Sequence, residues 1–181
     1  MTLQLFTPGP RGRSPSQLFL SIVAALTALS ACQPKEMVLR FETIEQRDAS
    51  GSGRLYENRQ PGLMVIETSE EAVNLDALVT PETRARLHNV NYNAYFVIAA
   101  FQGWKPTRQH GVQVERITRQ GSEVTVYARF SEPKADEEKA PEVTSPYHLI
   151  QVRKVGTWGQ RTTFNLVVGG ATVTSLSHRV P

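Results

Sequence analysis

The chain has a single cysteine, Cys32, among 181 residues. No intramolecular disulfide is therefore available, and an exported form must be held together by core packing alone. Aspartate is scarce as well, with Asp48, Asp76 and Asp136 the only three. The four histidines, His88, His110, His148 and His178, are scattered, with no H-x-x-x-H pair to suggest a metal site. There is no G-x-S-x-G, no P-loop and no G-x-G-x-x-G. These absences predict no catalytic residue, no cofactor and no metal. No apolar run reaches the roughly 20 residues that span a bilayer as a helix. Charge of one sign is also missing: beyond Cys32 there are 18 lysines and arginines against 17 acids, since only Arg11 and Arg13 precede it. That balance offers no electrostatic case for nucleic acid.

What is present begins with the segment around the cysteine. Residues 1–17 carry Arg11 and Arg13 and no acid; residues 18–31, LFLSIVAALTALSA, are apolar apart from small hydroxyls; then LSAC places small residues directly before Cys32. A basic region, a short apolar run and a small-residue site describe an export signal. The L-S-A-C ending resembles the bacterial lipobox. That resemblance implies cleavage after residue 31 and lipidation of Cys32, with residues 32–36 as a tether. Several acyl chains on one residue make attachment effectively permanent, where a single chain holds only marginally. The expected location is the cell envelope. Gln33, where an aspartate would favour retention in the inner membrane, leans toward the periplasmic face of an outer membrane if one exists, and otherwise the outer face of the cytoplasmic membrane is expected.

The remaining 149 residues suit one domain, predicted over 37–181. Period-two alternation dominates from residue 111 onward. Val112 and Val114 share a face; Val124, Val126, Ala128 and Phe130 share another, and the turn at Gly121 joins the two strands. Phe164, Leu166 and Val168 alternate before Gly169-Gly170, which predicts a second hairpin into ATVTSLS. AYFVIAAF (94–101) reads as a central strand buried on both faces. Met37, Leu39 and Phe41 alternate in an early strand, and LMVIE (63–67) and HLIQVRKV (148–155) add two more. Helix signals are confined to the middle. Ser69 is expected to cap EEAVNLDAL, and Thr80-Pro81 to open a second helix with proline at its first position. Loops are expected at 48–54, 57–62 and 131–146. The fold class is mainly β, a small sandwich or open barrel with one or two short helices inserted; an immunoglobulin-like sandwich is among the arrangements this allows.

Two stretches carry more than composition. AAFQGWKPTRQHGVQVERI (99–117) sets Gly103 and Lys105-Pro106-Thr107 between a buried strand and an alternating one, and TSPYHLIQVRK (144–154) opens a later strand. Their order and spacing resemble the C-terminal domain of the PrcB family, with its G-x-x-P-T-G-G-Y loop and T-S-P-Y-H strand opening, over roughly residues 92–155. The family is named for an accessory subunit of a bacterial surface protease complex, and its members are often lipoproteins. Where the family has G-G-Y, this chain has Arg108, Gln109 and His110. The loop is also similar to the N-P-T-T-G-Y loop of chagasin-type cysteine protease inhibitors.

The resemblance implies a non-enzymatic lipoprotein whose β domain binds another envelope protein, as accessory subunit or inhibitor of a protease. The partner-binding residues expected are Trp104, Lys105, Pro106, Thr107, Arg108, Gln109 and His110, with Tyr147 and His148 as neighbours. An ordinary tight turn at GWKPT, and a structural Tyr147 and His148, are the alternatives. A second class of function is a glycan- or small-molecule-binding module using Trp104 and Trp158 as stacking platforms; a third is a hydrolase without recognisable motifs.

Overall fold

The computed structural model describes residues 35–47, 56–134 and 141–181. The expected signal segment, Cys32, the expected loop at 48–54 and most of the charge run from Lys134 to Lys139 lie outside the described residues. Lys35–Pro181 forms one compact unit.

Eleven strands are described: β1 Met37–Val38, β2 Phe41–Arg47, β3 Gly62–Ile66, β4 Tyr95–Phe101, β5 Lys105–Thr107, β6 Gly111–Gln120, β7 Glu123–Ser131, β8 Pro141–Thr144, β9 Tyr147–Arg153, β10 Arg161–Val168 and β11 Ala171–Arg179. A five-stranded sheet runs β1-β6-β7-β10-β11, and a four-stranded sheet runs β2-β9-β4-β3. Both are open, so the mainly β reading holds and the architecture is a sandwich. The two expected hairpins are there. Gln120 pairs with Glu123 across a two-residue turn at Gly121 (φ 60°), and Val168 pairs with Ala171 across Gly169 and Gly170 (φ 59° and 83°). Gly169 and Gly170 give positive φ at both central residues of their turn, whereas the Gly121-Ser122 turn has it at the first alone; both forms match the twist of the flanking strands, which is why glycines sit there. The hairpins join through a parallel pairing of β10 with β7.

Between the sheets lie the inward residues of that alternation: Val112, Val114, Ile117, Val124, Val126, Phe164 and Leu166 from one sheet, against Leu63, Val65, Phe96, Ile98, Ala100, Ile150 and Val152 from the other. The opposite face of the four-stranded sheet is also covered. Val97, Ala99, Phe101, Tyr147 and Leu149 pack on Ala72, Leu75, Val79 and Leu87 of the helical segment. This second layer is why residues 94–101 form an unbroken apolar run.

Several expectations need correction. The alternation of Met37, Leu39 and Phe41 marks two strands. β1 pairs with β6, β2 pairs with β9 in the other sheet, and the chain crosses between them at Leu39 and Arg40. The expected cap Ser69 is the first helical residue of α1 (Ser69–Ala72), and Thr68 is the cap, its hydroxyl accepting from the Glu71 N–H at 3.1 Å. The segment then tightens into a 3-10 turn over Val73–Leu75, so the long helix is not formed. The second helix, α2 (Pro81–His88), is capped by Thr80 with Pro81 at its first position, as expected. The 131–146 loop contains β8, and the 104–110 loop contains β5.

One edge of the five-stranded sheet is closed by a backbone contact and two side chains. β1 covers only the Thr118–Arg119 end of β6. Further along, the Leu39 N–H donates to the Ile117 carbonyl (2.9 Å), the Gln46 amide to the Val112 carbonyl (2.6 Å), and the Val114 N–H to Nδ1 of His148 (2.9 Å). These groups would otherwise be an unpaired edge, the usual liability of an open sheet.

Candidate functional site

The two motifs, about 40 residues apart in sequence, are one structure. At the end of β4, Phe101 pairs with Tyr147 of β9. The Gln102 N–H then donates to the Pro146 carbonyl at 3.0 Å. Beyond this base the same two chains continue as a separate antiparallel ribbon, β5 with β8, in which Lys105 pairs with Thr144 and Thr107 with Pro141. The ribbon is an arm that continues the β4–β9 chains past a break in the ladder. Two features accompany the break. Pro146 has no N–H for a ladder bond, and Gly103 takes φ +81°, with a hypothetical Cβ only 2.3 Å from the Arg59 carbonyl oxygen. Only glycine fits there, so the first residue of G-x-x-P-T has a steric reason.

The arm's base is anchored from below. Tyr56 stacks on Phe101 with ring centroids 4.0 Å apart. The Trp104 indole N–H donates to the Tyr56 carbonyl, and the Arg59 guanidinium lies 5.2 Å from the Trp104 ring. Trp104 is accordingly half-buried, a bracket between arm and body. Thr144 is buried, and its hydroxyl donates to the Thr107 carbonyl at 3.1 Å, locking the two strands together.

Further out, Pro106, Arg108 and Gln109 are exposed, while Lys105, Thr107 and His110 are half-buried. Nε2 of His110 lies 3.2 Å from the Thr107 hydroxyl. Arg108 pairs with Glu142 across the ribbon, and Val143 is 51% exposed. Glu142 and Val143 went unnoticed in the sequence because they sit in a segment read as loop. Their signal was the alternation E-V-T before the T-S-P-Y-H opening.

Gln109 deserves comparison with the glycine it replaces. Its φ is +70°, making it the one non-glycine residue with positive φ among the described residues. The backbone keeps the left-handed conformation that glycine suits, so the side chain is accommodated at a cost of about 1–2 kcal/mol.

Tyr147 and His148 are corrected as surface contacts: they are 1% and 3% exposed. They point to opposite faces of β9. The Tyr147 ring packs under the helical layer and its hydroxyl donates to Glu45 at 3.0 Å. His148 enters the space between the sheets. Its Nδ1 accepts from the Val114 N–H where a bulge interrupts the β6–β7 pairing, so the proton is on Nε2, which lies 2.9 Å from the Thr43 hydroxyl. Burial pushes its pKa down to about 4, keeping the ring neutral.

The remaining polar groups do not converge on the arm. His88 lies 3.0 Å from Asp76, and His178 lies 3.1 Å from the buried Glu67, whose pKa is raised to about 7 chiefly by burial, then by Glu71, with Lys154 opposing. Among the described residues no three His, Cys, Asp or Glu side chains cluster as a metal site. Trp158 packs edge-on against Phe96 at 5.2 Å with Arg119 over its ring at 3.8 Å. Phe96 and Phe101 mark opposite ends of β4, so Trp158 and Trp104 share no platform.

Residues 96–153 match the family model described as PrcB C-terminal. The match runs from β4 to the end of β9 and contains both strands of the arm and its base, so the resemblance drawn from the two motifs holds over this stretch. No curated protein and no solved structure matches the chain.

Proposed function

We propose, with the PrcB C-terminal match of residues 96–153 as premise, that this chain is a non-enzymatic lipoprotein of the cell envelope, anchored through Cys32, whose arm holds another envelope protein. The partner class is a protease, held as an accessory subunit holds it or as an inhibitor does. One observation carries the reading: the two stretches that mark the family meet as the paired strands and base of a single ribbon. A ribbon set by Pro106, Pro146 and Gly103 has little conformational freedom left to lose on docking, which favours binding. Its outer surface mixes an apolar Val143 with Pro106, Arg108 and Gln109, and Trp104 stiffens it from below.

The test is capture of membrane proteins by the tagged, lipidated chain after detergent extraction, compared with Arg108→Glu and Val143→Asp combined. The Arg108–Glu142 pair is at the surface, where such pairs contribute about 1 kcal/mol or less, so melting should shift little. Capture should fall at least tenfold. Unchanged capture by the folded variant would remove the arm from the binding surface.

A further inference from the structure

At the far end of the β4–β9 ladder from the arm lies a second surface feature. Two adjoining depressions of about 490 and 530 Å³ share Val38, Arg40 and Arg153 and form one basin where the chain crosses between sheets. Lys154 and Val155 complete one side, and Glu42 stands at the other. Val38 is 63% and Val155 40% exposed, two of the few large apolar side chains left in solvent. Arg40 and Arg153 are exposed and have no carboxylate partner among the described residues; the Lys154 amine donates to the Pro181 carbonyl at 3.3 Å. Exposed apolar groups flanked by unpaired arginines suit a surface that is anionic outside and apolar just beneath. Covalent distance supplies the second argument. Val38 lies six residue steps beyond Cys32, and a chain of that length reaches at most about 20 Å.

We propose that this basin seats on the lipid headgroup surface, with Arg40 and Arg153 on headgroup phosphates and Val38 and Val155 in the interfacial layer. The proposal rests on lipidation of Cys32. It adds an orientation: the basin faces the membrane, and β9, about 20 Å long over seven residues, carries the arm away from it toward the partner.

Because lipidation consumes Cys32, an introduced cysteine is a unique labelling site. The full lipidated chain carrying Val155→Cys or Gln109→Cys is labelled with a fluorophore and reconstituted into vesicles of phosphatidylglycerol with phosphatidylcholine, or of phosphatidylcholine alone. A headgroup-depth lipid quencher then reports contact. Position 155 should be quenched in the anionic vesicles, and position 109 should not. Each basic side chain at an anionic surface contributes about 1 kcal/mol, roughly fivefold, so Arg40→Glu with Arg153→Glu should reduce the contacting population on the order of thirtyfold or more. The milder Arg40→Gln with Arg153→Gln, checked by circular dichroism, should reproduce the loss if the double reversal misfolds. Equal quenching in both vesicle types, quenching that survives the arginine changes, or quenching at 109 as strong as at 155 would overturn the proposal. Vesicle flotation reads the anchor separately: a chain that fails to float refutes lipidation and the proposal with it, whereas a floating chain without quenching at 155 refutes the basin alone.

Discussion

His148→Leu should change both the stability of this protein and its response to pH, by amounts that follow from the geometry. At neutral pH the wild-type ring accepts from the buried Val114 N–H at the β6 bulge (2.9 Å). Leucine fills the volume but leaves that N–H without a partner, a loss of about 1–3 kcal/mol. The pH effect is separate. With a folded pKa of about 4 and an ordinary value near 6.5, the unfolded chain binds a proton as pH falls below 6.5 while the folded chain does not. Stability from this group is therefore fully present above 6.5 and falls toward pH 4, by about 2 kcal/mol between pH 7 and 5. Glu67 acts in the opposite sense. Its folded pKa of about 7 lies above its ordinary 4.5, so its contribution is fully present below 4.5 and is lost as pH rises to 7, again by about 2 kcal/mol between pH 5 and 7. The two nearly cancel in the wild type. His148→Leu should expose the Glu67 response, making the variant more stable at pH 5 than at pH 7, and Glu67→Gln should expose the opposite slope. Urea denaturation followed by tryptophan fluorescence at pH 7, 6 and 5 measures all three proteins. Parallel pH profiles for wild type and His148→Leu would refute the assignment of a neutral, buried imidazole.

Gln109→Gly should raise unfolding free energy by about 1 kcal/mol, because glycine adopts φ +70° without steric penalty; a lower melting temperature would mean that the side chain contributes more than its backbone strain. Gly103→Ala should cost about 2 kcal/mol or more, since the new Cβ meets the Arg59 backbone at 2.3 Å in a left-handed conformation. Limited proteolysis should then cut within the arm first, and a wild-type digestion pattern would argue against the arm's dependence on Gly103. Cys32→Ser should accumulate an unprocessed precursor that takes up no labelled palmitate, and retained label would end the anchor reading.

Local rules carried much of this structure. The hairpins at Gly121 and Gly169-Gly170 were legible because alternation and a two-residue turn are properties of neighbouring residues. Thr80-Pro81 was legible as a helix start for the same reason. The motifs GWKPT and TSPYH marked the region that proved to be the arm. Period two, however, tells a side chain's face and says nothing of its strand's partner. The parallel β7–β10 pairing, the passage of Met37–Arg47 from one sheet to the other, and the ribbon of β5 with β8 all depend on contacts across tens of residues. Tyr147 and His148 show the limit at single residues. Neighbours on a strand, they were open to reading as contacts beside the arm or as structural residues, and both are buried because the four-stranded sheet is covered on both faces, by the facing sheet on one and by the helical segment on the other. Which faces are covered is decided by how the layers assemble, and no window of sequence around a strand contains that information.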